Sequence, residues 1–247
     1  FSGLEVGNTP LIEGQPLGLI RGFTVTDLIR TEEQLAAYKA QLGAATSSYR
    51  YLGIGDPMYQ LKAPDRFGAS RPDGGTVIGN GSPKYYGGFT QGFRYKNLSL
   101  QLYFTFSQGG KLVWGDHVSS VAFSGTANAN TSMLNRYTST NTDTNQPRLM
   151  LNGPEYYMSN LDIFDASYLR LRTLSFNYNF SKAKWIKNSG FSEASIFASA
   201  TNLFTITPYP GNDPETSNDP YSSIGGYFDV SNYPSVRTIS LGLKATF

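Results

Sequence analysis

Hydrophobic and polar residues alternate most strictly over Tyr233 to Phe247, YPSVRTISLGLKATF. Ile239, Leu241, Leu243, Ala245 and Phe247 share one parity, and Thr238, Ser240, Gly242, Lys244 and Thr246 share the other. In a strand, successive side chains point to opposite faces, so this stretch has one apolar wall and one polar wall. Two architectures use such a strand. A β-sandwich turns the apolar wall to a core, whereas a transmembrane barrel turns it to lipid and the polar wall to a wet or plugged lumen. An aromatic last residue with no trailing loop suits the rim of a barrel.

The same period recurs upstream. KYYGGFTQGFRY and LSLQLYFTFSQG flank Lys96 and Asn97 as a hairpin. Leu98, Leu100, Leu102, Phe104 and Phe106 alternate with Ser99, Gln101, Tyr103, Thr105 and Ser107, while Tyr85, Phe89, Phe93 and Tyr95 share a face with Gly87 and Gln91. Aromatics thus sit at both ends of the first strand, as a membrane girdle requires, and each strand has the roughly ten residues of a tilted transmembrane span. DASYLRLRTLSFNYNF sets Leu174, Phe176, Tyr178 and Phe180 against Thr173, Ser175, Asn177 and Asn179, and EASIFASATNLFTIT follows after a short basic connector. LGLIRGFTV, residues 17–25, is a further strand candidate, and YRYLGIG a short one. One helix is well signalled: TEEQLAAYKAQLG has Thr31 as cap, Gln34 as its capping-box partner and Gly43 to terminate it, with Leu35, Tyr38 and Leu42 as a stripe that braces nearby loops. Irregular stretches at 49–83, 111–164 and 207–234 separate the strands, so short and long connections alternate, as in outer-membrane barrels.

Composition changes the picture in few places. The 247 residues are 14% aromatic and only 15% charged, yet the mean hydropathy is −0.31, so apolar residues are interleaved with polar ones. A net charge of +2 without a basic cluster gives no footprint for nucleic acid. The lack of cysteine excludes disulfides and thiolate metal sites. No run approaches the roughly 18 apolar residues of a membrane helix, and no signal peptide is visible at the start.

Candidate chemistry is sparse. His117 is the only histidine and follows Asp116, which is too little for a metal site and reads as a satisfied loop histidine. Asp213, Glu215 and Asp219 in NDPETSNDP could hold a hard cation, but turn chemistry accounts for them. No nucleophile elbow, zincin or Walker motif occurs, so no enzyme, cofactor or metal is expected. Trp114, Tyr156, Tyr157, Tyr209 and Tyr221 are loop aromatics that could stack on sugars or peptides.

TVIGNGSPKYYGGFTQGFRYKNLSLQLYFTFSQGG, DASYLRLRTLSFNYNF, TNLFTIT with the downstream GNDPE, and YPSVRTISLGLKATF together resemble, in order, the carboxy-terminal barrel region of the SusC/RagA-like TonB-dependent outer-membrane transporters. LNRYTSTNTDTNQPRL is similar to the loop helix that family carries before DASYLR. The resemblance implies a barrel of about 22 strands with a plug, energised through TonB, embedded in outer-membrane lipid of a Gram-negative bacterium and capped by a SusD-like lipoprotein that captures glycans or peptides. Where the family often carries an Asp-rich stretch before VIGN, this chain reads LKAPDRFGASRPDGG, with too few carboxylates for calcium. The expectation is an all-β, antiparallel transmembrane β-barrel segment spanning 1–247, with about six strands (17–25, 84–95, 98–110, 166–180, 193–204 and 235–247), too few to close alone. Ile239, Leu241, Leu243 and Phe247 would lie on the barrel-closing strand. The alternative is a secreted soluble β-sandwich that binds carbohydrate.

Overall fold

The computed structural model describes residues 5–6, 9–10, 12–49, 51–122, 128–149, 156–180, 186, 190–215, 227–229 and 233–246. In chain order the strands are β1 (Glu5–Val6), β2 (Thr9–Pro10), β3 (Leu19–Gly22) and β4 (Val25–Leu28), followed by helix α1 (Glu32–Leu42). Next come β5 (Pro57–Tyr59), β6 (Thr76–Asn80), β7 (Tyr85–Tyr95), β8 (Leu98–Gln108) and β9 (Lys111–Trp114), then the short helix α2 (Gly115–Val121). The remaining strands are β10 (Ile163–Asp165), β11 (Tyr168–Asn179), β12 (Glu193–Ile206), β13 (Phe228–Asp229) and β14 (Thr238–Thr246). The chain divides into two units, one drawn from residues 1–82, 111–164 and 216–232, the other from 83–110, 165–215 and 233–247.

The second unit is a five-stranded antiparallel sheet in the order β14-β12-β11-β8-β7. Its strands run for 9 to 14 residues, which brackets the roughly 9–11 residues a tilted strand needs to cross a bilayer. β7 and β8 meet through Lys96 and Asn97, and Lys96 takes a φ of 51° there. The register carries one apolar face across all five strands. Phe93 lies opposite Leu100, Leu100 opposite Phe176, Phe176 opposite Ala198, and Ala198 opposite Leu241. Near the other end the row runs Phe89, Phe104, Leu171, Phe204.

One irregularity preserves that face. Leu169 and Leu171 are odd-numbered, whereas Leu174, Phe176 and Tyr178 are even-numbered, so strict alternation would send one group to the wrong side. The register shifts between Leu171 and Thr173, where Arg172 is the extra residue relative to β8. A bulge of this kind bends the strand and resets its parity, and both groups of apolar residues stay on one wall.

On the opposite face, Phe197 lies over Gly242. A Cβ at Gly242 would come within 2.2 Å of the Phe197 ring, so only glycine leaves room for that cross-strand cover.

The other unit has several small sheets. β3 pairs with β6 and β4 with β5, each as an antiparallel two-stranded sheet, and β13 pairs in parallel with β9 in the order β10-β9-β13. The expected strand at 17–25 is therefore corrected: it gives way to β3 and β4, neither long enough to cross a membrane, and five spanning-length strands remain among the described residues. Phe23 and Thr24 interrupt it, and the Phe23 N–H donates to the Met158 carbonyl instead of continuing a ladder. Among the described residues of YRYLGIG no strand forms, and the nearest strand is β5, which begins at Pro57. The helix expected in 134–149 is also absent: a 3-10 turn at Thr131–Asn135 gives way to a bridge between Thr138 and Asn141, in a segment whose Thr and Asn side chains hydrogen-bond to nearby backbone. The irregular reading of 111–164 missed β9, α2 and β10.

Helix α1 forms as its sequence dictates. Thr31 Oγ1 accepts from the Gln34 N–H while Gln34 Oε1 accepts from the Thr31 N–H, and Gly43, at φ 56°, ends the helix with its N–H on the Lys39 carbonyl. Leu35, Tyr38 and Leu42 pack with Ile29 and Leu52 into a buried cluster. The stripe braces loops, as expected.

Candidate functional site

The five-stranded sheet presents two chemically distinct surfaces. Its apolar surface stays uncovered along β14: Ile239, Leu241 and Leu243 are 70%, 73% and 79% exposed, and Phe89 and Phe93 on β7 are exposed too. Patches this continuous on a molecular surface mark contact with lipid or another apolar surface. Phe247 lies outside the described residues.

The opposite surface forms an open hollow of about 570 Å3 lined by Arg94, Gln101, Ser175, Asn177, Phe197 and Ser199, among others. A water takes about 30 Å3, so the hollow keeps these polar groups hydrated without requiring them to pair with each other.

At the end of the sheet opposite the Lys96–Asn97 turn, the polar surface carries a charge cluster. Arg170 stands on that surface opposite Thr105 and Thr205, yet it is only 2% exposed, because the segment after β12 covers it. Its Nη2 donates to Asp213 Oδ1 at 2.5 Å, and its Nη1 lies 2.7 Å from Glu215 Oε2 and donates to Ser235 Oγ at 2.9 Å. Arg172 and the Tyr168 hydroxyl both donate to Glu215 Oε1. Asp213 also accepts the Glu215 N–H on Oδ1 and the Ser235 N–H on Oδ2. Burial alone would raise the Asp213 pKa, but the hydrogen bonds from Arg170, the Glu215 N–H and Ser235 outweigh it and bring it down to about 2. Two arginines and two carboxylates leave the cluster neutral.

Turn formation was the sequence reading of Asp213 and Glu215, and Asp213 does form that turn. The arginine partners were missed, although the alternating pair Arg170 and Arg172 flanking Leu171 at the head of an apolar strand was the available signal. Asp219 lies outside the described residues.

A second network lies in the other unit. His117 on α2 is fully buried, with Nδ1 2.7 Å from Asp162 Oδ1 and Nε2 2.7 Å from Gln146 Oε1. Tyr156 donates its hydroxyl to Asp162 Oδ1 at 3.0 Å, and the Ser159 N–H donates to Oδ2 at 2.8 Å. Burial opposes the imidazolium, but Asp162 and Gln146 together hold the His117 pKa above its ordinary value. Two acceptors facing both ring nitrogens suit a doubly protonated ring. A histidine whose folded pKa is raised contributes stability in full below its unfolded pKa, about 6.5, and loses it as pH climbs through the folded value. Amide exchange at 115–121 and 159–162, corrected for intrinsic base catalysis, should therefore accelerate as pH climbs through that value. H117N should remove the pH dependence; an unchanged profile would refute the ion pair's contribution.

Among the described residues, the loop aromatics each have packing partners. Trp114 is buried and stacks on His117 with centroids 5.7 Å apart, Tyr157 stacks on Phe23 at 4.3 Å, and Tyr156 is tied to Asp162. Tyr209 is buried over Gly211. Tyr221 lies outside the described residues.

No protein-family model matches the chain. It is 34% identical to TonB-dependent receptor P3 of Formosa agariphila over 177 residues, 69% of this chain and 17% of that protein. It is 32% identical to TonB-dependent receptor SusC of Bacteroides thetaiotaomicron over 65% of this chain and 15% of that protein. In fold it superposes on the solved RagAB peptide transporter with a TM-score of 0.65 at 21% identity, covering 99% of this chain and 24% of that one. The chain thus spans a quarter or less of the length of each of these proteins.

Proposed function

We propose that this chain, which belongs with the SusC/RagA-like TonB-dependent receptors, supplies barrel wall and outer-surface loops to an outer-membrane importer of large nutrients, oligomers of sugar or peptide. The observation that carries the reading is the two-faced sheet: one apolar wall continuous through five strands and exposed at β14, with a hydrated polar hollow behind it. Lipid takes the first surface, and the lumen with its plug takes the second. A soluble sandwich would need a second sheet packed on the apolar wall, and exposed Ile239, Leu241 and Leu243 speak for lipid instead.

Residues 1–247 are on this reading a carboxy-terminal barrel portion. A lipid-facing edge cannot leave its N–H and C=O groups unpaired, so the free edges of β7 and β14 are completed by strands from elsewhere in the barrel. The long connections 109–167 and 207–237 leave the sheet from one end, and on this reading that end faces the cell surface beside a SusD-like lipoprotein, while TonB engages the plug.

The test uses the full-length receptor in its native membrane. Cells with and without the gene, in backgrounds with and without TonB, are given fluorescent oligosaccharide and oligopeptide pools. Uptake of one pool that requires both genes supports import. A receptor purified monodisperse without detergent, or uptake indifferent to its deletion, overturns the reading.

A further inference from the structure

We propose that residues 207–215 are a fixed constriction of the lumen, latched inward over the barrel wall so that the segment limits the size of what passes its outer mouth. The inference rests on the assignment of the polar sheet face to the lumen. The direction of the fold-over is carried by side chains of known parity: Tyr168 and Arg170 both stand on the polar face, opposite Ser107 and Thr105, and both bind carboxylates of this segment. Ile206, the last residue of β12, is 63% exposed on the apolar side, so the chain turns off the sheet toward the polar side alone.

The latch is redundant. Asp213 and Glu215 each take Arg170, Glu215 also takes Arg172 and Tyr168, and Thr207 Oγ1 donates to the Ser167 carbonyl at 2.7 Å. A surface loop that merely connected two strands would need none of these contacts to the inner wall. Pro208, Pro210 and Pro214 further restrict the backbone between the anchor points. Pro210 and Asn212 remain exposed between buried Tyr209 and buried Asp213, so the segment is fixed at its base and open to the passage at its crest. Its effect is geometric: neutral as a cluster, it narrows the mouth without imposing a sign of charge.

The experiment reads access to a single introduced thiol in the full-length receptor on intact cells. T201C lies on the polar face: Thr201 pairs with Thr173, three steps deeper than the Thr205–Arg170 pair, about 10 Å below the latch. Maleimides on polyethylene glycol of graded mass are added from outside. With the latch intact, small reagents label T201C and larger ones fail. D213N/E215Q should shift the limiting mass upward, and N212W, which enlarges the crest, should shift it downward. Heat-modifiable migration on gels identifies folded receptor. If the latch variant does not assemble, the N212W shift alone decides. A cut-off identical in all backgrounds overturns the constriction while leaving the wall assignment intact. Labelling of I239C, and not T201C, by the smallest hydrophilic reagent overturns the wall assignment and the constriction with it.

Discussion

L102R should sharply reduce the amount of receptor assembled in the outer membrane, while Q101R, one residue away, should leave it near wild type. Leu102 sits near the middle of β8, with Leu174 opposite it on β11 and Gln91 on β7, on the wall assigned to lipid. A charged side chain at the bilayer midplane costs about 2–4 kcal/mol, falling toward zero at the interfaces. Gln101 is exposed toward the polar hollow, where an added guanidinium stays hydrated near Asn177 and Ser175. Depth matters as well as face. Arg237 has the apolar parity of Ile239 but precedes the first residue of β14, where water is close, so its natural charge costs little. Quantifying the heat-modifiable form of each variant in isolated membranes is sufficient. Equal levels of L102R and Q101R would invert or abolish the assigned faces.

The second large effect is expected at Arg170. R170L removes a cation that reaches Asp213, Glu215 and Ser235 together, leaving a nearly buried carboxylate without its guanidinium partner. Breaking a buried pair from one side costs about 3–5 kcal/mol, enough to lower the temperature at which folded receptor converts to its unfolded form on gels. R170K should recover part of the loss, since an ammonium keeps the charge but lacks the fork that reaches several acceptors at once. The same contact predicts acid sensitivity. Because the folded Asp213 pKa is depressed to about 2, its contribution is complete above the unfolded value near 3.9 and is lost as pH falls through the folded one. D213N should flatten that part of the acid profile. A melting temperature for R170L within error of wild type would show that the cluster stabilises nothing.

The strands of the wall were legible because a two-sided environment writes itself into the sequence at period two. β7, β8, β11 and β14 all lie within the stretches expected, β12 runs two residues past its expected end at 204, and the hairpin at Lys96–Asn97 is where the alternation breaks. The same period misled at 17–25, where LGLIRGFTV has enough apolar residues for a strand but Phe23 spends its backbone groups on Met158 and Asn160. Short strands such as β6 and β13 are too brief for periodicity and are held by pairing across long sequence separations. Arg172 marks a subtler limit. A change of parity between Leu171 and Leu174 is written in the sequence, but it becomes a bulge only when the neighbouring strand supplies a fixed register.

His117 and the Asp213 cluster show the corresponding limit for sites. The sequence isolates one histidine beside Asp116, whereas its partner is Asp162, 45 residues away. Asp213 and Arg170 are 43 apart. Charge pairs of this kind carry no local pattern, and only the fold joins them. Helix α1 is the opposite case: its cap, capping box and terminating glycine all lie within 13 residues of sequence, from Thr31 to Gly43, and each was legible.

Asp213 has one more consequence. With Oδ1 on the Glu215 N–H and Oδ2 on the Ser235 N–H, a single carboxylate ties the point where the chain departs from the sheet to the point where it comes back. Whatever lies between begins and ends at one clamped pair of residues, so its length is largely decoupled from the wall: doubling a flexible loop adds only about 0.6 kcal/mol of closure cost. Grafting the corresponding stretch of a relative between Glu215 and Tyr233 would then replace β13 and its pairing with β9 while the ends of β12 and β14 stay held by Asp213.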